Sequence, residues 1–198
     1  MVSFCYGQIG LIEAAGGFFS YLVCLTECGF FPSRVLGASN HKKYKYRTSW
    51  FNLIFIWNYF KGTFWDSPSI NDFKDSYGQE WTYDQRKRLE HAAQTCFFVG
   101  IVACQMANTL INKTKKVSVF QHGFRNMHMN AAILATIGLA CLLIYVPKLN
   151  DGLGLYPIKG LWWLPAIPFS IYLFTYAELK KLICKYYPKT WYDNEMNW

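Results

Sequence analysis

Charge is scarce and lopsided in this 198-residue chain: only 16% of residues are charged, and 12 acids face 20 lysines and arginines, a formal +8. Against that stand 53% hydrophobic and 19% aromatic residues, with a mean hydropathy of +0.06. This balance excludes a soluble nucleic-acid binder, because the basic groups sit at the edges of long apolar runs, where anionic lipid headgroups would be. No Gly-rich phosphate loop with a following Gly-Lys-Ser/Thr is present, which excludes that mode of nucleotide binding. Four histidines and scattered serines give no nucleophile and base pairing, and no metal-ligating cluster emerges. All seven cysteines (Cys5, Cys24, Cys28, Cys96, Cys104, Cys141, Cys184) fall within or beside the apolar runs, so no extracellular disulfide framework is indicated. Cys24 and Cys28 share a helix face, where buried packing is expected.

What the chain has is apolar length. Four segments, 4–31, 92–111, 130–146 and 161–183, are long enough to cross about 30 Å of hydrocarbon, which takes roughly 20 residues as helix. Lipid offers no partners to exposed backbone groups, so helices must be the spanning form. The first segment lacks a basic leader and a cleavage pattern, and is expected to stay as a span. The expected fold is an all-α membrane protein, a bundle of four transmembrane helices with one long extracellular loop. Glu13 lies well inside the first span, where it either pairs within the bundle or titrates. Glu27 lies near that span's outer end.

Short loops set the orientation. The 112–129 connection carries Lys113, Lys115, Lys116 and Arg125 and no acid, and the 184–198 tail adds Lys185 and Lys189. Both follow even-numbered spans, and the positive-inside bias makes their side cytosolic. Both termini are then cytoplasmic, with 32–91 and 147–160 outside. Within the long loop, the apolar run from Trp50 to Phe60 would reach only about 16 Å as helix, too short to span. It either lies in the interface or belongs to an atypical insertion of about 39–63.

One stretch stands out from so oily a chain: "DSYGQEWTYDQRKRLE" (75–90), a polar loop running into a charged helix start with Thr82 as candidate N-cap. With "YGQIGLIEAAGGFF" (6–19), "INDFKDSYGQEWTYDQRK" (70–87), "KTKKVSVFQHGFRN" (113–126), "YPIKGLWW" (156–163) and "AELKKLI" (177–183), it resembles the C-terminal membrane region of sodium/potassium-transporting P-type ATPase alpha subunits and the related proton/potassium pumps. Five blocks in the right order and spacing make a specific signal. The departure is between Gly37 and Trp65, which the family joins by only a few residues.

The resemblance implies roles residue by residue. Ser76, Tyr77, Gly78 and Gln79 match the extracellular loop that docks the glycosylated beta subunit, and Gly16 and Gly17 match a site beside which the beta subunit's helix packs. Gln105 and Asn108 match a Gln-x-x-Asp whose oxygens help ligate sodium. Ala135 and Thr136 match a Glu-Glu pair, and Glu13 stands where the family usually has Gln. The cation pathway Gln105, Asn108, Thr136 and Glu13 therefore reads as degenerate, with interhelical polar contact as the competing role. Ser118, after Lys115-Lys116-Val117, matches a phosphorylation site. The tail ends Asn197-Trp198 where the family ends Tyr-Tyr. The phosphorylated aspartate of Asp-Lys-Thr-Gly-Thr is missing, so the chain is expected to need no cofactor of its own; ATP and magnesium belong to a full-length pump, and sodium or potassium to the pathway. The implied setting is the plasma membrane, with a beta subunit, lipid and a small single-span regulatory subunit as partners and no nucleic acid. The implied function is the membrane portion of a divergent pump alpha subunit, not catalytic alone. The alternative is a standalone tetraspan adaptor binding beta subunits.

Overall fold

A computed structural model describes residues 9–31, 68–69, 71–112 and 127–186. The 39–63 insertion, Ser118 and the Asn197-Trp198 terminus lie outside the described residues. The chain divides into two compact units, Leu22–Ala93 and the combination of Met1–Tyr21 with Gln94–Trp198. In order, the elements are α1 (Gly10–Glu27), β1 (Phe73–Lys74), β2 (Glu80–Trp81), α2 (Tyr83–Asn112), α3 (Met127–Tyr145), the short α4 (Leu149–Leu153), a 3-10 helix (Gly160–Ala166) and α5 (Ile167–Tyr186). Among the described residues the fold is mostly helical, as expected, with one antiparallel pair of two-residue strands beside the helices. Phe73 faces Trp81 and Lys74 faces Glu80 across it. Aromatic and long side chains on these short strands pack against neighbours in a way the loop's polar composition hides.

Two of the four apolar segments, α2 and α3, form helices long and apolar enough to cross a membrane. Little of α3 is buried by the chain itself, and Leu134, Leu139 and Leu142 stand exposed along it. On α5, Ile171, Leu179, Leu182 and Ile183 are exposed as well. Apolar surface of this extent on helices is stable facing lipid and costly facing water.

Helix ends follow local chemistry. α1 stops where Gly29 takes φ 89, with its N–H bonded to Thr26 O at 3.0 Å and the Phe30 N–H bonded to Leu25 O at 2.9 Å. This is a Schellman stop, and its accompanying apolar contact falls on two buried residues, Leu25 and Phe30. α2 starts well before its apolar run because Thr82 and Gln85 form a reciprocal cap. The Gln85 N–H donates to Thr82 Oγ1 at 3.4 Å, and the Thr82 N–H donates to Gln85 Oε1 at 3.1 Å. The last apolar segment opens as a 3-10 turn containing Pro165 before becoming α5. Pro168 sits in the first turn of α5, where a missing N–H costs nothing.

In the unit containing Gln94–Trp198, α1 and α2 meet at small residues. A Cβ on Gly100 would come within 2.9 Å of Gly17 Cα and 3.1 Å of Gly16 O, so only glycine permits this approach. Aromatic pairs flank the crossing, Phe18 with Phe97 at 5.2 Å and Phe19 with Phe169 at 5.3 Å. One turn away, Ala107 and Ile111 of α2 and Leu173 and Ala177 of α5 form a buried cluster, joined by Ile9 and Ile12. Lys181 closes its end: Nζ donates to Ile111 O at 3.3 Å and pairs with Glu178 at 3.1 Å. A cation at the carbonyl end of a long helix is favourably placed against the helix dipole.

Candidate functional site

Two constellations carry the chemistry, one in each unit. In Leu22–Ala93, residues 75–79 form a tight turn. The Gly78 N–H closes onto Asp75 O at 3.2 Å, and Gly78 adopts φ 83. Asp75 is the hub: its Oδ1 accepts the N–H groups of Tyr77 at 2.8 Å and Gln79 at 2.9 Å, and its Oδ2 accepts the Trp81 indole at 3.3 Å. Burial pushes the Asp75 carboxyl up. The donors at Gln79, Trp81, Tyr77 and Gly78 outweigh that and hold it below the ordinary aspartate value of 3.8.

Beneath the turn, Arg86 is fully buried, with its guanidinium 5.4 Å from the Phe73 ring centre and 5.9 Å from that of Tyr83. The Ser76 N–H donates to Gly29 O at 3.0 Å, tying the turn to the end of α1. The result presents Tyr77 at 74% exposure, steadied by Phe31 at 5.6 Å, with Gly78 and Gln79 exposed beside it. Ser76 faces the other way, its Oγ buried without a partner. A rigid exposed tyrosine on a preformed turn suits an interface anchor, because little rotamer entropy remains to be lost.

In the second unit, the structure brings together three of the four cation-pathway residues. Glu13 of α1 accepts a hydrogen bond from Gln105 Nε2 at 2.8 Å on Oε2 and a longer one from Asn108 Nδ2 at 3.4 Å on Oε1. Asn108 Oδ1 in turn accepts from Asn112 Nδ2 at 3.0 Å. Gln105, Asn108 and Asn112 recur three and four residues apart, so they share a face of α2. A carboxylate inside a membrane helix is costly unless it is paired, and here two carboxamides pair it. Thr136 is elsewhere: it is exposed on α3, and its hydroxyl donates to Ala132 O at 2.9 Å. Gly16 and Gly17 are buried against Gly100, Phe97, Cys104 and Phe169.

Sequence reasoning missed Asp75, Arg86 and Asn112. An Asp three residues before a Gly is a turn signal that could have revealed the first. The i, i+4 spacing of Asn108 and Asn112 could have revealed the last. Among the described residues no group of three or more His, Cys, Asp or Glu could hold a metal ion, and Cys24, Cys28, Cys96, Cys104 and Cys141 form no disulfide.

Two helices long and apolar enough to cross a membrane, with polar side chains converging where α1 meets α2, fit a membrane domain. The family profile described as "Cation transporting ATPase, C-terminus" matches residues 1–183, and the chain belongs to this family. It is 43% identical over 195 residues to the sodium/potassium-transporting ATPase subunit alpha-B of Artemia franciscana, and 42% identical to the alpha-2 subunits of Bos taurus and Homo sapiens. Each match covers 98% of this chain and 17% of the relative, so the chain spans about a sixth of the length of these relatives.

Proposed function

We propose that the chain is the C-terminal membrane portion of a sodium/potassium-type cation-transporting ATPase alpha subunit, contributing a cation site and a beta-subunit docking loop. The observation that carries the reading is the Glu13 carboxylate held between the Gln105 and Asn108 carboxamides. By charge count on α2 and α3 alone the pathway was degenerate, with Asn108 and Thr136 in place of acids. Glu13 supplies a carboxylate from α1 at the point where the α2 amides converge. One negative charge suits a monovalent cation, sodium or potassium, since it offsets the ion's charge in a low-dielectric bundle; the Gln105 and Asn108 amides, which here turn N–H groups to Glu13, would rotate to present oxygen to the ion. Thr136 stays a pathway candidate only through contacts beyond this cluster.

The segments 4–31, 92–111, 130–146 and 161–183 cross the plasma membrane as four spans, with both termini cytoplasmic and 32–91 outside. The Ser76–Gln79 turn then meets a beta subunit, with Tyr77 as its anchor. Gly16 and Gly17, buried in contact with α2 and α5 side chains, serve that docking by setting the helix crossing beside which the beta subunit's helix would lie. A small single-span subunit packs on the exposed apolar helix faces, and Ser118 takes phosphate. ATP and magnesium act only on a full-length pump.

The test is a chimera. Residues 1–198 replace the corresponding C-terminal region of a working alpha subunit, and sodium-dependent phosphorylation from ATP is measured. Sodium dependence should persist, and Glu13→Gln should weaken apparent sodium affinity by about tenfold or more, the scale of losing an uncompensated buried charge. Identical affinity with and without Glu13 would contradict the proposal.

A further inference from the structure

Glu13, Asn108 and Asn112 form a relay of hydrogen bonds with a defined direction. Asn112 Nδ2 donates to Asn108 Oδ1, Asn108 Nδ2 donates to Glu13 Oε1, and Gln105 Nε2 donates to Glu13 Oε2. Only one member of the group is charged. We propose, building on the cation reading above, that positions 13 and 108 share a single negative charge that either helix can carry, so that the site recognises the sum at the two positions and not the residue at either.

The donor and acceptor inventory supports the exchange. With glutamine at 13 and aspartate at 108, the substituted carboxamide still accepts from Gln105 Nε2 through its oxygen. Its amino group then donates to the new carboxylate, whose other oxygen keeps the bond from Asn112 Nδ2. Every hydrogen bond survives, and only the one between positions 13 and 108 reverses direction. The atoms concerned are already within 3.4 Å, so the carboxylate moves by about one hydrogen-bond length. Single changes do not balance. Glu13→Gln leaves no charge, and Asn108→Asp alone puts two carboxylates within hydrogen-bond distance, where like charges resist joint ionisation.

In this chain α1 then carries the charge that governs cation binding, with Asn112 as the positioning residue. Asn112 is set by α2's last turn, which the Lys181 contact to Ile111 O holds in place.

The full chain in lipid nanodiscs is titrated with sodium chloride and with potassium chloride against choline chloride at constant ionic strength, reading the thermal unfolding midpoint. The wild-type midpoint should rise saturably with one or both alkali cations. Glu13→Gln should raise the half-saturating concentration about tenfold or more, and adding Asn108→Asp should bring it back to within about threefold of wild type, since contacting sites couple strongly. A double variant as insensitive as Glu13→Gln overturns the exchange while leaving the cation reading intact. A wild-type chain insensitive to both cations overturns the two together. Recovery of the midpoint in choline without recovery of the cation response makes the pair a structural contact and also overturns the exchange. If Glu13→Gln alone fails to fold, the double variant against wild type decides: matching cation responses support the proposal, and a missing response refutes it.

Discussion

Gly29→Ala should damage the Tyr77 turn more than Gly78→Ala, the other described glycine of the Leu22–Ala93 unit, for two separable reasons. The first is backbone: Gly29 holds φ 89, a left-handed conformation that costs an L-residue roughly 1–2 kcal/mol. The second is steric. A Cβ there would stand 2.6 Å from Asp75 Oδ2, 3.0 Å from its Cγ and 3.1 Å from Tyr77 Cδ2. Asp75 cannot retreat without loosening its bonds to Tyr77, Gln79 and Trp81, so the collision propagates to the exposed tyrosine. Gly78→Ala is the internal control, because Gly78 has φ 83 but nothing within 4 Å of its Cβ position. It should therefore show the backbone cost of about 1–2 kcal/mol alone. The assay is the thermal midpoint of the two variants in nanodiscs, with co-purification of a beta subunit as the second readout. Gly29→Ala should fall clearly below Gly78→Ala in both. Equal losses would refute the claim that Asp75 is a fixed hub under the turn.

Other outcomes follow from single contacts. Ser76→Ala removes a buried hydroxyl that has no partner, so thermal stability should hold or rise, by up to about 1 kcal/mol; a clear loss would show that the hydroxyl is satisfied in the folded protein. Tyr77→Ala should leave folding intact, since the ring is largely exposed, yet weaken beta-subunit recovery by on the order of 2 kcal/mol; unchanged recovery would count against docking at this turn. Because the Asp75 carboxyl titrates below its ordinary value, its stabilisation is complete above that value and is lost as pH falls through the lower folded value. Wild type should therefore lose more stability than Asp75→Asn as pH falls below the ordinary aspartate value of 3.8; parallel acid limbs would refute the hub. Lys181→Met strips the Ile111 carbonyl of this donor and Glu178 of this cation, and should lower stability by about 1–3 kcal/mol, read as a lower thermal midpoint; no change would mean water replaces the ammonium freely.

Local rules made part of this molecule legible in advance. The motif blocks led to the family, and Thr82 ahead of a charged run announced the cap of α2. Apolar length picked out α2 and α3, the two described helices long and apolar enough to cross a membrane. The polar sequence of 70–81 concealed the Phe73–Trp81 strand pairing, because two-residue strands leave no alternation to read. The 147–160 connection likewise concealed α4, which closes on Gly154 in the left-handed conformation. The tertiary contact was not legible. Glu13 and Gln105 are 92 residues apart, and no periodicity links them, so counting acids span by span does not place a carboxylate against the α2 carboxamides. What joins them is the crossing of α1 and α2 at Gly16, Gly17 and Gly100, small residues whose meaning appears only in the packed structure. Thr136 matched a family position by order in the sequence, yet its place on an exposed face of α3 keeps it out of the cluster around Glu13.

The role proposed for Glu13, Gln105 and Asn108 is to hold a monovalent cation. Thallium, a heavy stand-in for potassium, makes that visible by anomalous diffraction from crystals of a complete alpha subunit containing this chain. A peak is expected in contact with the Glu13 carboxylate, lost in Glu13→Gln, with the Gln105 and Asn108 amides turned from their donor orientation to present oxygen to the ion. Peaks elsewhere in the membrane region with none beside Glu13 would contradict it.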